Sequence, residues 1–319
     1  MHTLGIDLGG TYARAGVVDA EGRIVAAAKT ALTQRTPEAV VAAIQGAAAD
    51  ALSLAKETAS EVASCGIGVA GQLRPGGFVS VAPNLGWRDV PFGQLLAAAL
   101  GRNVRVVNDL AAAAWGEFSS GAGRGVNDIF VVFVGSGVGS SMISNGRQLV
   151  GATGVAGEFG HIKVVPGPNG RLCGCGEHGC LESYVGGHNL NRQMREAVER
   201  LGAGTRLFHM TGGDLGKLTS AHLEDAALGG DPAAKEIYDT AALYLGVAVA
   251  NMVTVLNPAR LILGGGVINH CPALRQRVED HVMAFANANA RAAVQVKTAA
   301  LGDDSGLIGA ALLARSAAG

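Results

Sequence analysis

The sequence predicts an α/β protein of two domains, on three observations. Its 319 residues are enough for a sizeable core and suggest two domains. Its apolar fraction is 49% but its aromatic fraction only 4%, so the core is built from Ala, Val, Leu and Ile. That composition suits helices packed on a sheet better than a β-sandwich. Its 48 glycines fall in short clusters rather than a repeat, at about twice the average usage of roughly 7%, which points to tight turns and phosphate loops.

The elements follow in order. "HTLGIDLGGTYARAGVVDAEGRIVAAA" reads as three strands with turns at Gly9-Gly10 and Glu21-Gly22. Thr36-Pro37 opens a helix, with Thr36 as N-cap and Pro37 at the first helical position, running to about Ala55. "CGIGVAG" (residues 65–71) is a short buried strand. "VRVVND" (residues 104–109) is another, leading into the helical pattern "LAAAAWGEF". A second cycle begins near Asp128: "DIFVVFVGSGVGSSMIS" is strand, glycine turn, strand, so the two halves look like variations on one unit. Asp231-Pro232 opens a long helix that ends before Asn257-Pro258. "RLILGGGV" is strand into glycine turn, and "DDSGLIGAALLARS" reads as an amphipathic helix.

Charge and hydropathy exclude several classes. The net charge is −1 and no run of Lys and Arg marks a nucleic-acid footprint. "MHTLGIDLGGT" lacks the basic and long apolar regions of a signal peptide. The longest apolar run, residues 241–256, is shorter than the ~20 residues of a membrane span and is interrupted by Asn251 and Thr254, so a buried helix is expected. A cytoplasmic address follows, and with it the expectation that the cysteines form no structural disulfides.

Three glycine turns sit at strand ends. In "DLGGT" (Asp7, Gly9, Gly10, Thr11) backbone N–H groups can approach phosphate oxygens with no side chain between. The alternative is an ordinary hairpin turn. "GSGVGSS" (Gly135, Ser136, Gly137, Gly139) and "GGGV" (Gly264, Gly265, Gly266) are of the same kind. The first of these two is followed by a strand pattern, which argues against a dinucleotide fold, and no Walker-type P-loop is present. Asn108 and Asp109 fall at a strand's carboxyl end, where ligands bind in α/β sheets. There Asp109 is either a base for a substrate hydroxyl or a helix N-cap.

"CGCGEHGC" packs three of the five cysteines into eight residues. The spacing C-x-C-x4-C is not that of a C-x-x-C redox pair. Cys173, Cys175, Cys180 and His161 make a Cys3His set suited to tetrahedral, structural zinc, with His178 as a rival fourth ligand. Clamping this loop would fix Glu158 and Glu182, two carboxylates suited to a hydroxyl-rich ligand or else two solvated glutamates.

Taken together these stretches resemble the ROK family (repressors, open reading frames and sugar kinases). The order is DLGGT, N-L-G-W at residues 84–87, N-D at 108–109, the second glycine turn, E-F-G-H, C-G-C-G-x-x-G-C-L-E, G-G-G-V and D-D-S-G-L-I-G-A-A. The resemblance covers essentially the whole chain. It implies a two-domain actin-like (ribonuclease H-like) sugar kinase fold with an interdomain cleft. Residues 1–113 with 300–319 would form a small α/β domain, and residues 114–299 a large one carrying the zinc loop. It further implies ATP-dependent phosphorylation of a hexose 6-hydroxyl, with glucose preferred to N-acetylglucosamine and N-acetylmannosamine. Asp109 would be the catalytic base; Asn84, Asn108, Glu158, His161 and Glu182 would hold the sugar. ATP and Mg²⁺ would sit at the glycine turns, and one ring nitrogen of His161 would face zinc, the other the sugar. The expected partners are a sugar and ATP, with no nucleic acid or membrane, in a homodimer. The repressor branch needs a DNA-reading module, for which Asp7, already in the first turn, leaves no room.

Overall fold

The computed structural model describes residues 2–58 and 61–316. The chain runs β1 (His2–Leu8), β2 (Tyr12–Val18), β3 (Ile24–Ala31), α1 (Pro37–Ala55), β4 (Val62–Val69), β5 (Gln72–Arg74), β6 (Phe78–Ala82), β7 (Trp87–Val90), α2 (Phe92–Leu100), β8 (Val104–Asn108), α3 (Asp109–Ser120), β9 (Ile129–Val134), β10 (Val138–Ser144) and β11 (Arg147–Gln148). It continues through α4 (Glu182–Val185), α5 (Gly187–Leu201), α6 (Arg206–Thr211), α7 (Ser220–Leu228), α8 (Pro232–Leu256), β12 (Arg260–Gly264), α9 (Gly266–His270), α10 (Pro272–Phe285), α11 (Ala288–Ala293), β13 (Gln295–Thr298) and α12 (Ser305–Ser316).

Two five-stranded sheets repeat one plan. The first has the order β3-β2-β1-β4-β8, the second β11-β10-β9-β12-β13. In the first, β1 is antiparallel to β2 and parallel to β4, which is parallel to β8. In the second, β9, β12 and β13 run parallel. A small antiparallel sheet, β5-β6-β7, is added after β4. The expected kinship of the two halves is therefore a shared strand order.

By packing, the chain forms two compact units: Met1–Asn127, Ser141–Gly157 and Ala299–Gly319 in the first, Asp128–Ser140 and Glu158–Thr298 in the second. The boundary expected at residues 113/114 falls inside α3, which stays whole in the first unit because it packs along α12.

In the first unit, Leu4, Ile6 and Leu8 of β1 join Val40 and Ile44 of α1 in one core. The other face of the sheet takes α12, which packs on β1, β4 and α3. This helix is not amphipathic as expected. Residues 305–311 are all buried, because a two-sided contact leaves only Leu312 and Arg315, near its end, half-exposed. Glycines permit that contact. A Cβ on Gly5 would stand 2.2 Å from the Leu307 carbonyl oxygen, on Gly66 2.0 Å from that of Ala310, and on Gly309 1.7 Å from that of Ala112. The buried Glu117 of α3 accepts backbone N–H bonds from Ala122 (2.8 Å), Ala300 (3.1 Å) and Leu301 (2.8 Å), so it fixes the segment leading into α12.

Local signals behave as their chemistry dictates. Thr36 accepts from the Ala39 N–H with Pro37 in the first turn, and Asp231 Oδ1 accepts from the Ala234 N–H at 2.9 Å with Pro232 after it. Helix α8 ends at Asn257 in the left-handed region, φ 46°, just before Pro258. By length and composition α1 and α8 could each cross a membrane. However, α8 buries Tyr238, Leu245, Val249 and Val253 while packing on α7 and α10, and its exposed side carries Leu243 and Val255.

Candidate active site

The first unit gathers its candidate residues at the carboxyl ends of β1 and β8. The β1–β2 turn is closed by the Gly9 N–H donating to the Tyr12 carbonyl at 3.0 Å. A Cβ on Gly10 would touch Asn84 Cβ at 3.4 Å, so Asn84, exposed in the β6–β7 turn, stands beside the glycine turn. Burial, and after it the neighbouring Asp109, push the Asp7 carboxyl up to about 6, while Arg14 opposes the rise. Arg14 faces Asp7 across the hairpin and pairs with Asp304 at 2.5 Å before α12. The sequence reading passed over Arg14. Its signal was the strand alternation that pairs it with Asp7.

Asn108 is the N-cap of α3. Its Oδ1 accepts from the N–H groups of Leu110 (2.9 Å) and Ala111 (3.1 Å), and its Nδ2 donates to the Gly71 carbonyl at 3.1 Å. The capping role weighed for Asp109 thus belongs to its neighbour. Asp109 is the first helical residue, where a carboxylate is favoured by the helix dipole.

The second unit holds the metal candidates. His161 ends the short turn Phe159–His161, seated by Phe159 packing edge-to-face on Phe130 at 5.5 Å. The donor atoms of His161, Cys173, Cys175 and Cys180 lie within 4.8 Å of one another. Cys175 and Cys180 sulfurs are 3.7 Å apart, and His161 Nδ1 is 3.8 Å from Cys173 Sγ. Zinc–sulfur bonds of about 2.3 Å and zinc–nitrogen bonds of about 2.0 Å in a tetrahedron demand separations of roughly 3.5–3.8 Å. The donor set fits that ion. His178 lies outside this cluster, with its Nδ1 2.8 Å from the Gly170 carbonyl oxygen. Cys65 and Cys271 are buried elsewhere. Lys163, which the sequence reading did not single out, donates to Cys180 Sγ at 3.2 Å.

Two carboxylates lie beside this candidate metal loop. His161 Nε2 lies 3.5 Å from Glu158 Oε2, on the side of the ring away from Cys173. Glu182 Oε2 accepts from the Val138 N–H at 2.8 Å, in the Gly135–Gly139 turn, and its Oε1 is 3.8 Å from Cys173 Sγ. Within that turn Gly135 N–H donates to the Gly137 carbonyl at 3.0 Å. The third turn places Gly264 at the end of β12, Gly265 at φ 91° against the Val134 backbone, and Gly266 at the start of α9.

These features define a class, and the chain belongs to the ROK family, whose model matches residues 3–317. Among its relatives, a glucokinase of Streptomyces coelicolor is 36% identical over 98% of this chain and 97% of its own length. The solved ROK family glucokinase of Streptomyces griseus, in complex with glucose and AMPPNP, is 36% identical. It superposes with a TM-score of 0.82 over 99% of this chain and all of its own. A ROK hexokinase from Thermus thermophilus gives 31% identity and a TM-score of 0.82 over 100% of this chain and 99% of its own. The expected sugar kinase fold is thereby established.

Proposed function

We propose that this protein is an ATP-dependent hexose kinase that converts glucose to glucose 6-phosphate. The observation carrying the reading is the pair Asp7 and Asp109: two carboxylates beside a glycine turn, one held near pKa 6, with capping left to Asn108. Such a pair suits a base next to a cation-bound phosphate. The similarity to a glucokinase solved with glucose and AMPPNP supports both the sugar and the donor.

In this reading the Asp109 carboxylate takes the proton of the sugar 6-hydroxyl. The sugar oxygen forms a bond to the γ-phosphorus as the bond to the β-phosphate oxygen breaks, and ADP leaves with that electron pair. In the first unit Gly9, Gly10 and Thr11 form a phosphate-binding turn; in the second Gly135, Ser136, Gly137 and Gly139 form another, and the glycines at 264–266 border the nucleotide. The carbonyls of Gly135, Ser136 and Gly137 accept bonds from protein donors, and the N–H groups of Gly135 and Val138 donate within the protein, so the N–H groups of Ser136 and Gly137 are the ones the turn would offer a ligand. Mg²⁺, when bound to the nucleotide, would supply positive charge to neutralise the charge developing on the phosphates. Asn84, Asn108, Glu158, His161 and Glu182 hold the other hydroxyls. Asn108 does so through its remaining amide N–H, since its other groups are engaged.

Zinc is the metal that three thiolates and an imidazole select. Held by Cys173, Cys175, Cys180 and His161 Nδ1, it would leave the His161 proton on Nε2, facing Glu158 and the sugar. The family resemblance supports a cytoplasmic homodimer. The deciding experiment is ADP release with ATP, Mg²⁺ and glucose: turnover with ATP alone, or none with any hexose, overturns the reading.

A further inference from the structure

We propose that Glu182 is a positioning residue through which the metal loop sets the shape of the Gly135–Gly139 turn, so that metal occupancy governs nucleotide affinity even without sugar. This rests on reading that turn as a nucleotide-binding element.

The argument is one of chain slack. Cys180 is a metal donor, and only Leu181 separates it from Glu182. Leu181 is fully buried, and its N–H donates to the Ile162 carbonyl at 2.9 Å. A displacement of Cys180 therefore passes to Glu182. The Glu182 carboxylate holds the Val138 N–H at 2.8 Å, and a Cβ on Gly137 would stand 2.4 Å from Glu182 Oε2. At the carbonyl of the same residue, a Cβ on Gly160 would stand 2.3 Å from the Val138 oxygen. Gly160 immediately precedes the ligand His161. The Val138 backbone is thus held between two segments that each end in a metal donor.

The same stretch grips the turn again. After the single turn of α4, the Gly187 N–H donates to the Gly135 carbonyl at 2.8 Å and the His188 N–H to that of Ser136 at 3.0 Å. Residues 180–188 therefore hold the metal at one end and three backbone groups of the glycine turn at the other. Packed segments of this kind transmit a local change as a coupling free energy between sites.

The test is calorimetric binding of AMP-PNP with Mg²⁺, without sugar, to zinc-loaded and zinc-stripped protein. It compares wild type, Glu182→Ala and Glu182→Gln. Stripping zinc from the wild type is expected to weaken binding about tenfold. Glu182→Ala weakens it by a similar factor when loaded and shows little further loss when stripped, the non-additivity of a shared path. Glu182→Gln, which keeps an acceptor for Val138, binds nucleotide nearly as the wild type does. Equal affinity for Glu182→Ala and wild type, or an undiminished effect of stripping in Glu182→Ala, overturns the proposal while leaving the kinase reading intact. Failure of loaded wild type to bind AMP-PNP overturns both.

Discussion

Asn108 caps the helix that Asp109 begins, accepting two backbone N–H bonds with one side-chain oxygen. The adjacent residues therefore separate stability from chemistry. Asp109→Asn should lower kcat on the order of 10²-fold or more while costing less than about 1 kcal/mol of stability, the worth of a charge at a helix start. Asn108→Ala should cost about 1 kcal/mol or more, through the lost cap. Steady-state kinetics beside urea unfolding reads both, and near-normal kcat in Asp109→Asn would return Asp109 to a structural role.

Metal analysis should find one zinc per chain. Because binding orders the loop, Cys175→Ala should lose zinc and activity together. His178→Ala should keep the metal, since that ring bonds to Gly170. Active protein free of zinc would refute the Cys3His centre.

Asp7 gives the ligand-free protein a pH dependence of defined sign. Its folded carboxyl, near 6, lies above the ordinary 3.8, so between those values the folded state holds a proton that the unfolded chain releases. Stability should fall as pH rises from about 4 to about 6, by on the order of 3 kcal/mol, and remain lower above. Asp7→Asn should abolish this loss, melting higher than wild type at about pH 7.5 without nucleotide, yet be inactive. A wild-type melting temperature that climbs from pH 4 to pH 6 in step with that of Asp7→Asn would contradict the assignment.

Glucose should be preferred to N-acetylglucosamine and N-acetylmannosamine. The candidate contacts are hydrogen-bonding groups, and such a site rejects an analogue that leaves them unpaired by several orders of magnitude. Comparing kcat/KM for glucose, both N-acetyl sugars, mannose and fructose checks this. An N-acetyl sugar ahead of glucose would keep the kinase and move the substrate.

What could be read in the sequence was local. Thr36-Pro37, Asp231-Pro232 and Asn257-Pro258 mark helix ends through chemistry confined to a few residues, and each end falls where expected. The Cys3His set was legible because ligand type and spacing are written in one short stretch, with His161 the single donor from outside it. Tertiary commitments were not legible. Gly5, Gly66 and Gly309 look like weak points of strands and a helix until α12 is seen against them. Nothing local tells that Glu117 holds residues 300 and 301, that Glu182 reaches Val138, or that both ends of the Asn108 amide are engaged.

The burial of α12 bears on how the protein is made. Its face of the first sheet, prepared by Gly5 and Gly66, has no cover while β1 through β13 emerge from the ribosome. Domains tend to fold in the order of their synthesis, yet the first unit must wait for a helix encoded after the entire second unit. The second unit, Asp128–Ser140 with Glu158–Thr298, is complete sooner. The nascent chain therefore carries an uncovered, glycine-lined sheet face through most of translation, the state in which chaperones would meet it.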